Sequence, residues 1–402
     1  MESPAGPTPA GPTGPTGQIV IRRRGADRIR RGHLWVYRSD IVNPKDAEPG
    51  SIVSVRDERD TILGKAFFSS QSQISLRFLS HGDATIDEAF FQERFALADR
   101  LRERLGVDPL LSRRIYSEGD LLPGWVIDRY GDRLVVQSLI QAADRLQPLV
   151  TNIVMDRYRP RSILFRNDSR VRELEGLELK QEVAGDPIPD LLVINEDGKE
   201  IAVSLTAGQK TGTYLDQRDN HRAARHYARG RALDAFSYTG GFAVQIADRC
   251  ERVESVDISA EAVELARSNA ERNGLKNVEC IEANAFDFLR ERHKEGRQYD
   301  TIILDPPPFA KNKDSLEAAL RGYKEINHRA MRLLRPGGIL ITCSCSHHVS
   351  EAIFAEMLAE AANDASCWVR VLERRTQAAD HPILLTVPET LYLKCFILEI
   401  HS

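Results

Sequence analysis

Strand-like and helix-like segments alternate strictly in the second half of this 402-residue chain. Five short strand-like runs are separated by stretches with apolar residues at helical spacing. The runs lie at 232–236, 253–258, 278–283, 300–305 and 338–346. Because a helix between two strands brings those strands side by side in the same direction, this order predicts a doubly wound, mostly parallel α/β sheet.

The first half of the chain predicts two further domains. Short β-rich runs with turn signals fill residues 19 to about 80, and they favour a small β-barrel without a helical pattern. A helical pattern begins at Asp87, and the turn YGDR (130–133) between apolar runs predicts a hairpin within an α+β domain. The predicted order is a disordered Pro/Gly/Thr tail at 1–17, the barrel at 18–82, the α+β domain at 86–205 and the α/β domain at 206–402.

Charge and cysteine content narrow the class of protein. The net charge is −4 and the isoelectric point about 6.2, so the whole molecule is not a basic nucleic-acid-binding protein. Six cysteines without paired spacing favour a reducing cytoplasm, and no apolar run is long enough to span a membrane. Residues 21–38 nonetheless carry seven arginines, which form either a solvated surface or a phosphate-contacting patch.

Ligands of open α/β sheets bind beyond the carboxyl ends of the strands, and several of these ends carry informative residues. Gly240 and Gly241, after the first strand, allow close approach to a ligand, although a plain tight turn is the alternative. Asp257 ends the second strand, where a carboxylate either binds ribose hydroxyls or caps a helix. Asn284 and Ala285 follow the third strand, where they would meet an adenine edge. Together these positions predict an adenosine pocket without a phosphate-binding loop.

The fourth strand ends in LDPPPFAKNK (304–313), where Asp305 precedes three prolines. Each proline fixes φ and removes a backbone donor, so the segment predicts a rigid turn that is either structural or functional. Pro306 and Pro307 would then face a substrate. Phe309, beside them, either anchors the turn or stacks on a base.

These motifs together resemble a known family. DAFSYTGGF, VDIS, EANAF and LDPPPFA look like the cofactor-binding face of a class I S-adenosylmethionine-dependent methyltransferase with a Rossmann-like domain. KTGTYLDQRDNH (210–221), LDPPPFAKNK and TCSCS are more closely similar to the 23S ribosomal RNA cytosine-C5 methyltransferases with an N-terminal PUA domain. The resemblance extends over nearly the whole chain after the tail, and includes GHLWVYRSDI, GDLLPGWVIDRYGD and DHP at 380–382.

The resemblance implies S-adenosyl-L-methionine as cofactor and assigns residues to it. Segment 210–221 would cover the cofactor, with Lys210, Tyr214, Asp216 and Arg218 near the methionine end. Asp257 would bind the ribose and Asn284 the adenine, although many relatives have Asp at the latter position. The other implied cofactor contacts are Asp234, Phe236, Tyr238, Thr239, Gly240, Ile258, Ala285 and Asp305.

The cysteines of ITCSCSHH (341–348) could be metal ligands, a redox pair, core residues or a nucleophile. Methylation of cytosine C5 needs a thiolate that adds to C6, and an acid beside N3 that stabilises the charge developing on the ring. Cys345 lies nearer the strand end and matches the family's nucleophile position, so we assign it and Asp305 to catalysis, with Cys343 as a core residue. Pro308 stands where several RNA cytosine methyltransferases have a second cysteine, which leaves the base for the C5 proton unidentified.

The expected partner is RNA, because a flipped or single-stranded base can reach such a pocket. The arginine run would position the RNA backbone through Arg22, Arg23, Arg24, Arg30 and Arg31. We expect neither a metal nor a membrane partner; a homodimer remains open. Two alternatives remain: a methyltransferase acting on guanine N7 or a base amine without a cysteine nucleophile, and a non-catalytic RNA-binding or assembly protein.

Overall fold

A computed structural model describes residues 17–44, 47–208, 211–309 and 316–401, and in it the chain divides into two units. The first unit extends to Asp190 and also includes Leu205–Thr211 and Ala379–Thr390. The second unit consists of Leu191–Ser204, Gly212–Ala378 and the chain from Leu391 onwards. Each unit therefore combines segments that lie far apart along the chain. The tail at 1–16 lies outside the described residues.

The first unit contains eleven strands and four helices among its described residues. They are β1 (Gln18–Ile21), α1 (Arg23–Arg30), β2 (Trp35–Tyr37), β3 (Ile41–Asn43), β4 (Ile52–Asp57), β5 (Ile62–Phe68), β6 (Ile74–His81), α2 (Glu88–Arg104), β7 (Leu111–Tyr116), β8 (Trp125–Tyr130), β9 (Arg133–Ser138), α3 (Gln141–Arg145), α4 (Gln147–Tyr158), β10 (Ser162–Asn167) and β11 (Lys180–Gly185).

Strands β1 to β6 form one sheet in the order β2-β6-β5-β4-β1-β3, where a small barrel was predicted. Its hydrogen bonding leaves β2 and β3, of three residues each, as the two edges of the described sheet. The arginine run forms helix α1, which the sequence prediction missed. Ala26 and Ile29 of α1 are buried, and its arginines are mostly exposed. The apolar side of the helix is therefore too short to give a clear helical pattern in the sequence.

Strands β7 to β11 form a second sheet in the order β11-β10-β9-β8-β7. Helix α2 begins after Asp87, whose side chain accepts a hydrogen bond from Phe90 N at 3.0 Å. The predicted hairpin is confirmed, because Tyr130 pairs with Arg133 across a turn in which Gly131 has a φ of +64°.

The second unit contains nine strands and six helices among its described residues. They are β12 (Leu192–Glu196), β13 (Lys199–Val203), α5 (Arg218–Tyr227), β14 (Gly230–Ala235), α6 (Gly241–Ile246), β15 (Cys250–Asp257), α7 (Ala260–Arg272), β16 (Val278–Glu282), α8 (Ala285–Lys294), β17 (Tyr299–Leu304), α9 (Leu316–Leu333), β18 (Leu334–Ser344), α10 (Glu351–Asp364), β19 (Trp368–Arg375) and β20 (Lys394–His401).

Seven of these strands form one sheet in the order β16-β15-β14-β17-β18-β20-β19. The first five are parallel to one another, and β20 is antiparallel to both β18 and β19. This confirms the predicted doubly wound, mostly parallel sheet. The chain reverses its direction of winding between β14 and β17, so the loops after these two strands border a crevice at the ligand end of the sheet.

Helices with one apolar side cover this sheet. Helix α9 buries Tyr323, Ile326, Ala330 and Leu333, which recur at helical spacing. The ring of Tyr323 lies edge-on to Phe354 of α10, with centroids 5.6 Å apart. The hairpin β12–β13 packs on α7, where Asn269 Oδ1 accepts a hydrogen bond from Ala202 N at 2.8 Å. This contact ties residues 191–204 to the second unit.

Candidate active site

The loop after β14 has an unusual backbone. Phe236 and Tyr238 have φ values of +66° and +48°, and Gly240 has a φ of +82°. A left-handed conformation is costly for a non-glycine residue and is concentrated at functional sites. Gly240 also lies so close to α7 that a Cβ atom there would approach Ala266 Cβ at 3.2 Å. The predicted glycine turn is therefore present, and its backbone is more strained than the sequence indicated.

Asp234, the penultimate residue of β14, is fully buried. Its Oδ2 accepts a hydrogen bond from Ala243 N of α6 at 2.9 Å. Its Oδ1 is buried without a hydrogen-bond partner among the described residues. Burial raises the pKa of Asp234 to about 8, and the backbone donor of Ala243 opposes that shift.

Asp257 ends β15 and does not cap the helix that follows. Ser259 is the cap of α7, and its Oγ accepts a hydrogen bond from Ala262 N at 3.2 Å. The Asp257 carboxylate instead accepts hydrogen bonds from Tyr238 N at 2.8 Å and Ser259 N at 3.0 Å. A carboxylate has further lone pairs that a ribose hydroxyl could use. The next residue, Ile258, is 69% exposed, which leaves an apolar side chain beside the same strand end.

Asn284 follows β16 and is the N-cap of α8. Its Oδ1 accepts hydrogen bonds from Phe286 N at 2.9 Å and Asp287 N at 3.4 Å. The amide oxygen is therefore engaged, and the amide NH₂ is the group that remains to meet an adenine edge. Ala285 is the first residue of the helix and is buried.

The segment before α5 lies among the residues of the strand ends. The ring of Tyr214 is edge-on to Tyr238, with centroids 5.4 Å apart. Burial raises the pKa of Tyr214, and the charges of Asp305, Tyr238 and Cys345 act in the same direction. Asp216 is buried and accepts a hydrogen bond from Tyr392 Oη at 2.5 Å.

Arg218 opens α5 and is buried, as is Thr239 in the loop after β14. Thr239 O accepts a hydrogen bond from Asn269 Nδ2 at 3.1 Å, which ties the loop to α7. Lys210, also predicted to contact the cofactor, lies outside the described residues.

The ends of β17 and β18 bring the proposed catalytic residues to the same edge of the sheet. Leu304 pairs with Thr342, so Asp305 and Cys345 each lie just beyond adjacent parallel strands. Cys345 Sγ approaches Pro306 O at 4.0 Å as a weak hydrogen-bond donor, and the side chain is partly exposed. Cys343, by contrast, is fully buried opposite Cys395 in β20, and the hydrogen bond with that neighbour, together with burial, raises its pKa.

The turn after Asp305 has both buried and exposed residues. Pro306 is buried and Pro307 is exposed. The ring of Phe309 packs against Phe286 and Tyr323, with centroid separations of 5.8 and 4.6 Å. This packing favours the anchor interpretation of Phe309 over stacking on a base.

The arginines of the first unit differ in their surroundings. Arg24 Nε pairs with Asp40 at 2.7 Å, and Arg30 pairs with Asp57. Arg23 lies 3.6 Å from Asp27. The two that remain, Arg22 and Arg31, are exposed and have no ion-pair partner among the described residues. They are therefore the arginines of this group with the fewest competitors for a phosphate.

Sequence reasoning missed three polar residues close to the strand ends. His221 and Glu196 form a buried pair, with His221 Nδ1 2.6 Å from Glu196 Oε1. Burial lowers the pKa of His221, but the Glu196 carboxylate outweighs it and the net shift is upward. Lys394 is buried in β20, and a lysine within the apolar run LYLKCFIL was the available signal. No sequence signal indicated the His221–Glu196 pair, because its two residues lie on separate elements.

The described residues fit S-adenosylmethionine. Asp234 Oδ1 and Ser237 Oγ are buried without hydrogen-bond partners among them, and such atoms ordinarily need a polar ligand. Asp257 offers acceptors for ribose hydroxyls and Asn284 offers an amide donor for adenine. Among the residues that the structure describes, no group of three or more His, Cys, Asp or Glu side chains could hold a metal ion. No described helix combines the length and hydropathy of a membrane span.

Comparison with known proteins agrees with this geometry. Residues 19–81 match the PUA-like domain family, and residues 166–390 match the S-adenosylmethionine-dependent methyltransferase family. The chain is 42% identical over 390 residues to the ribosomal RNA large subunit methyltransferase I of Erwinia tasmaniensis, covering 95% of this chain and 98% of that one. It is 40% identical to the protein of the same name from Cronobacter sakazakii, covering 94% and 98%.

A solved structure shares the fold. SMU.776, assigned as a methyltransferase and crystallised with SAH, superposes with a TM-score of 0.81 at 20% identity, covering 95% of this chain and 99% of that chain. Together the two family matches and the full-length relatives identify the chain. It belongs to the family of S-adenosylmethionine-dependent methyltransferases that includes the ribosomal RNA large subunit methyltransferase I proteins.

Proposed function

We propose that this protein methylates C5 of a cytosine in large-subunit ribosomal RNA through a covalent bond between Cys345 and C6 of the base. The observation that carries the proposal is the position of Cys345, whose sulfur lies beyond β18, 4.0 Å from the carbonyl oxygen of Pro306. Asp305 precedes that proline at the end of the adjacent strand. The names of the close relatives support ribosomal RNA as the substrate class.

The residues of the strand ends can hold the cofactor against this cysteine. Asp234, Asp257 and Asn284 provide the polar groups for it, and Tyr214 packs against Tyr238 and interacts with the charge of Cys345. When bound, S-adenosylmethionine supplies an electrophilic methyl group.

The chain's own residues then act on the base. The Cys345 thiolate adds to C6 and the electron pair of the C5–C6 bond becomes available at C5, which accepts the methyl group. Asp305, in its protonated form, would donate a hydrogen bond at N3 while negative charge develops on the ring. Loss of the C5 proton to a base then re-forms the double bond and expels the thiolate, so Cys345 is regenerated.

The proposal is tested by trapping the covalent bond. A full-length 23S rRNA transcript containing 5-fluorocytidine should give an adduct that survives denaturation, because fluorine at C5 replaces the proton that has to leave. Peptide mapping should place the adduct on Cys345. Cys345→Ala should form no adduct and no 5-methylcytosine, yet bind S-adenosylmethionine with unchanged affinity.

The matched control is Cys343→Ala, which removes the neighbouring thiol and should keep both the adduct and the product. Methyl transfer that persists in Cys345→Ala would refute covalent catalysis and favour a guanine N7 or base-amine methyltransferase. Absence of S-adenosylmethionine binding in the wild type would favour a non-catalytic RNA-binding protein.

A further inference from the structure

Lys394 is a buried charged residue that the proposed mechanism does not use. It is 3% exposed and lies in β20, where it pairs with Ser344 at the end of β18. Its Nζ donates hydrogen bonds to Ser346 O at 2.7 Å and Tyr392 O at 2.8 Å. Both acceptors are neutral backbone carbonyls, and in the described part of the chain no carboxylate lies within 4.0 Å of this ammonium. A buried cation without an anionic partner is costly, so the site should provide one.

The anion that the structure offers is the Cys345 sulfur. Cys345 directly precedes Ser346, the residue whose carbonyl oxygen accepts from Lys394. Burial lowers the pKa of Lys394 to about 8, and the charge of a Cys345 thiolate opposes that shift. An ammonium carries three N–H bonds, and the two carbonyls use two of them. The third N–H is left for a further acceptor.

In the described part of the chain, the two tyrosines, the aspartate and the buried cysteine pair near Cys345 do not supply positive charge. Tyr214 and Tyr323 both interact with the sulfur, and burial raises the pKa of each, which keeps them neutral. Asp305, beyond the adjacent strand, would repel a thiolate when it is ionised. Cys343 and Cys395 lie behind the strand end as a buried pair, and the raised pKa of Cys343 keeps its thiol neutral. Among the groups named here, Lys394 is the one that carries a positive charge.

We propose that Lys394 is the buried cation that holds the Cys345 sulfur in its thiolate form. This inference rests on the proposed function, in which Cys345 is the nucleophile. The thiol proton passes to solvent and Lys394 stays protonated, so no further reactant is needed. After methylation the negative charge returns to sulfur as the bond to C6 breaks, and the same ammonium favours that departure. Lys394 is thus a positioning residue that acts through Cys345.

The test is the pH dependence of Cys345 alkylation, which needs neither RNA nor methyl transfer. The rate at which iodoacetamide modifies Cys345 is followed by peptide mass spectrometry across pH, with Cys280 of the same protein as an internal reference. In the wild type, the midpoint of the Cys345 profile should lie below that of an ordinary thiol, about 8.5. Lys394→Met should move the midpoint upward by about one to three pH units, and Lys394→Arg should restore most of that shift.

Ile397→Val, which alters the packing of the same strand without changing charge, should leave the profile as in the wild type. The proposal is overturned if Lys394→Met leaves the midpoint unchanged. That result is expected of a lysine that only donates hydrogen bonds to two backbone carbonyls. It is equally overturned by a wild-type midpoint at or above about 8.5, and this measurement decides the matter even if Lys394→Met does not fold. Methylation by Cys345→Ala would refute the proposed function. The alkylation profiles would still test whether Lys394 lowers the pKa of the Cys345 thiol.

Discussion

Asp234 should affect both the stability of the protein and the binding of the cofactor, because its Oδ1 has no hydrogen-bond partner among the described residues. The carboxyl group is fully buried, and its Oδ1 lacks a hydrogen-bond partner among the described residues. A buried polar atom of this kind destabilises the protein until a ligand supplies its partner. The same residue should therefore weaken the free protein and strengthen the complex, which is a common compromise at functional sites.

We expect Asp234→Asn to change how the stability of the cofactor-free protein depends on pH. The folded-state pKa of about 8 lies above the ordinary aspartate value of 3.8, so between these values the folded state keeps a proton that the unfolded chain releases. The free energy of unfolding of the wild type should consequently fall as pH rises through this interval, and it should cease to fall above it. Asparagine does not titrate, so urea denaturation of Asp234→Asn should give a flatter profile.

The same substitution should weaken S-adenosylmethionine binding, measured by calorimetry, by roughly tenfold, which corresponds to removal of about one hydrogen bond. Asp248→Asn, an exposed-surface change in the same unit, serves as the control for both measurements. Parallel pH profiles for Asp234→Asn and wild type would contradict this account.

Individual site residues were predictable where chain order alone sets their position. Asp257, Asn284, Asp305 and Cys345 each lie at the end of a parallel strand or shortly after it, and such strands bring their carboxyl ends to the same edge. Lys394 was not predicted, because it lies on an antiparallel strand added at the end of the chain and its hydrogen-bond partners are defined only by register. A helix cap was predicted, as one alternative, only for Asp257. In the structure Ser259 caps that helix, and Asn284, for which no cap was predicted, caps α8.

Asn284 caps helix α8 and is also the proposed contact for adenine, so a substitution there should affect both the helix and cofactor binding. Asn284→Ala removes the side-chain oxygen that accepts from Phe286 N and Asp287 N, so it should lower the free energy of unfolding by about 1 kcal/mol. Asn284→Asp keeps an oxygen at the cap and should leave stability near that of the wild type. Both measurements are made by urea denaturation without cofactor, so that adenine binding does not contribute.

Binding of S-adenosylmethionine by the two variants then isolates the interaction with adenine. Asn284→Asp replaces the amide donor by an acceptor and should still bind, since adenine presents an amino group as well as ring nitrogens. Asn284→Ala should bind several-fold more weakly than Asn284→Asp. Equal stability of the alanine and aspartate variants would show that the cap contributes nothing to α8.

Strands and helices with regularly spaced apolar residues were predicted from the sequence, whereas elements without such spacing were missed. The five parallel strands and helices such as α7 and α9 carry apolar residues at regular spacing, and the structure confirms them. Helix α1 was missed because eight residues with several arginines give only two buried apolar side chains. The two edge strands of the first sheet are three residues long, too short to carry a pattern.

At the scale of the whole molecule, the division into units could not be predicted from chain order. Leu205–Thr211 belongs to the first unit, where Arg166 donates hydrogen bonds to Leu205 O at 3.1 Å and Gly208 O at 2.7 Å. Ala379–Thr390 also belongs to it, and Arg113 N donates to Asp380 Oδ2 at 2.9 Å. These are tertiary interactions between residues far apart in sequence, and no local pattern records them.

The last prediction concerns RNA binding by the first unit in the full-length protein. Arg22 and Arg31 are exposed and unpaired among the described residues, whereas Arg24 and Arg30 already pair with Asp40 and Asp57. The double variant Arg22→Ala/Arg31→Ala should therefore weaken binding to single-stranded RNA. It should also reduce the slope of log K against log salt by about 0.7 for each phosphate that the variant no longer neutralises.

Removing the same number of charges elsewhere in this unit separates a local interaction from a general charge effect. Arg100 and Arg104 lie on α2, so Arg100→Ala/Arg104→Ala matches the change in charge and should leave the salt slope unaltered. Filter-binding titrations at several salt concentrations measure both slopes. If the two double variants lowered the slope equally, binding would depend on the overall charge of the unit, and the arginines of α1 and its flanks would have no special part in it.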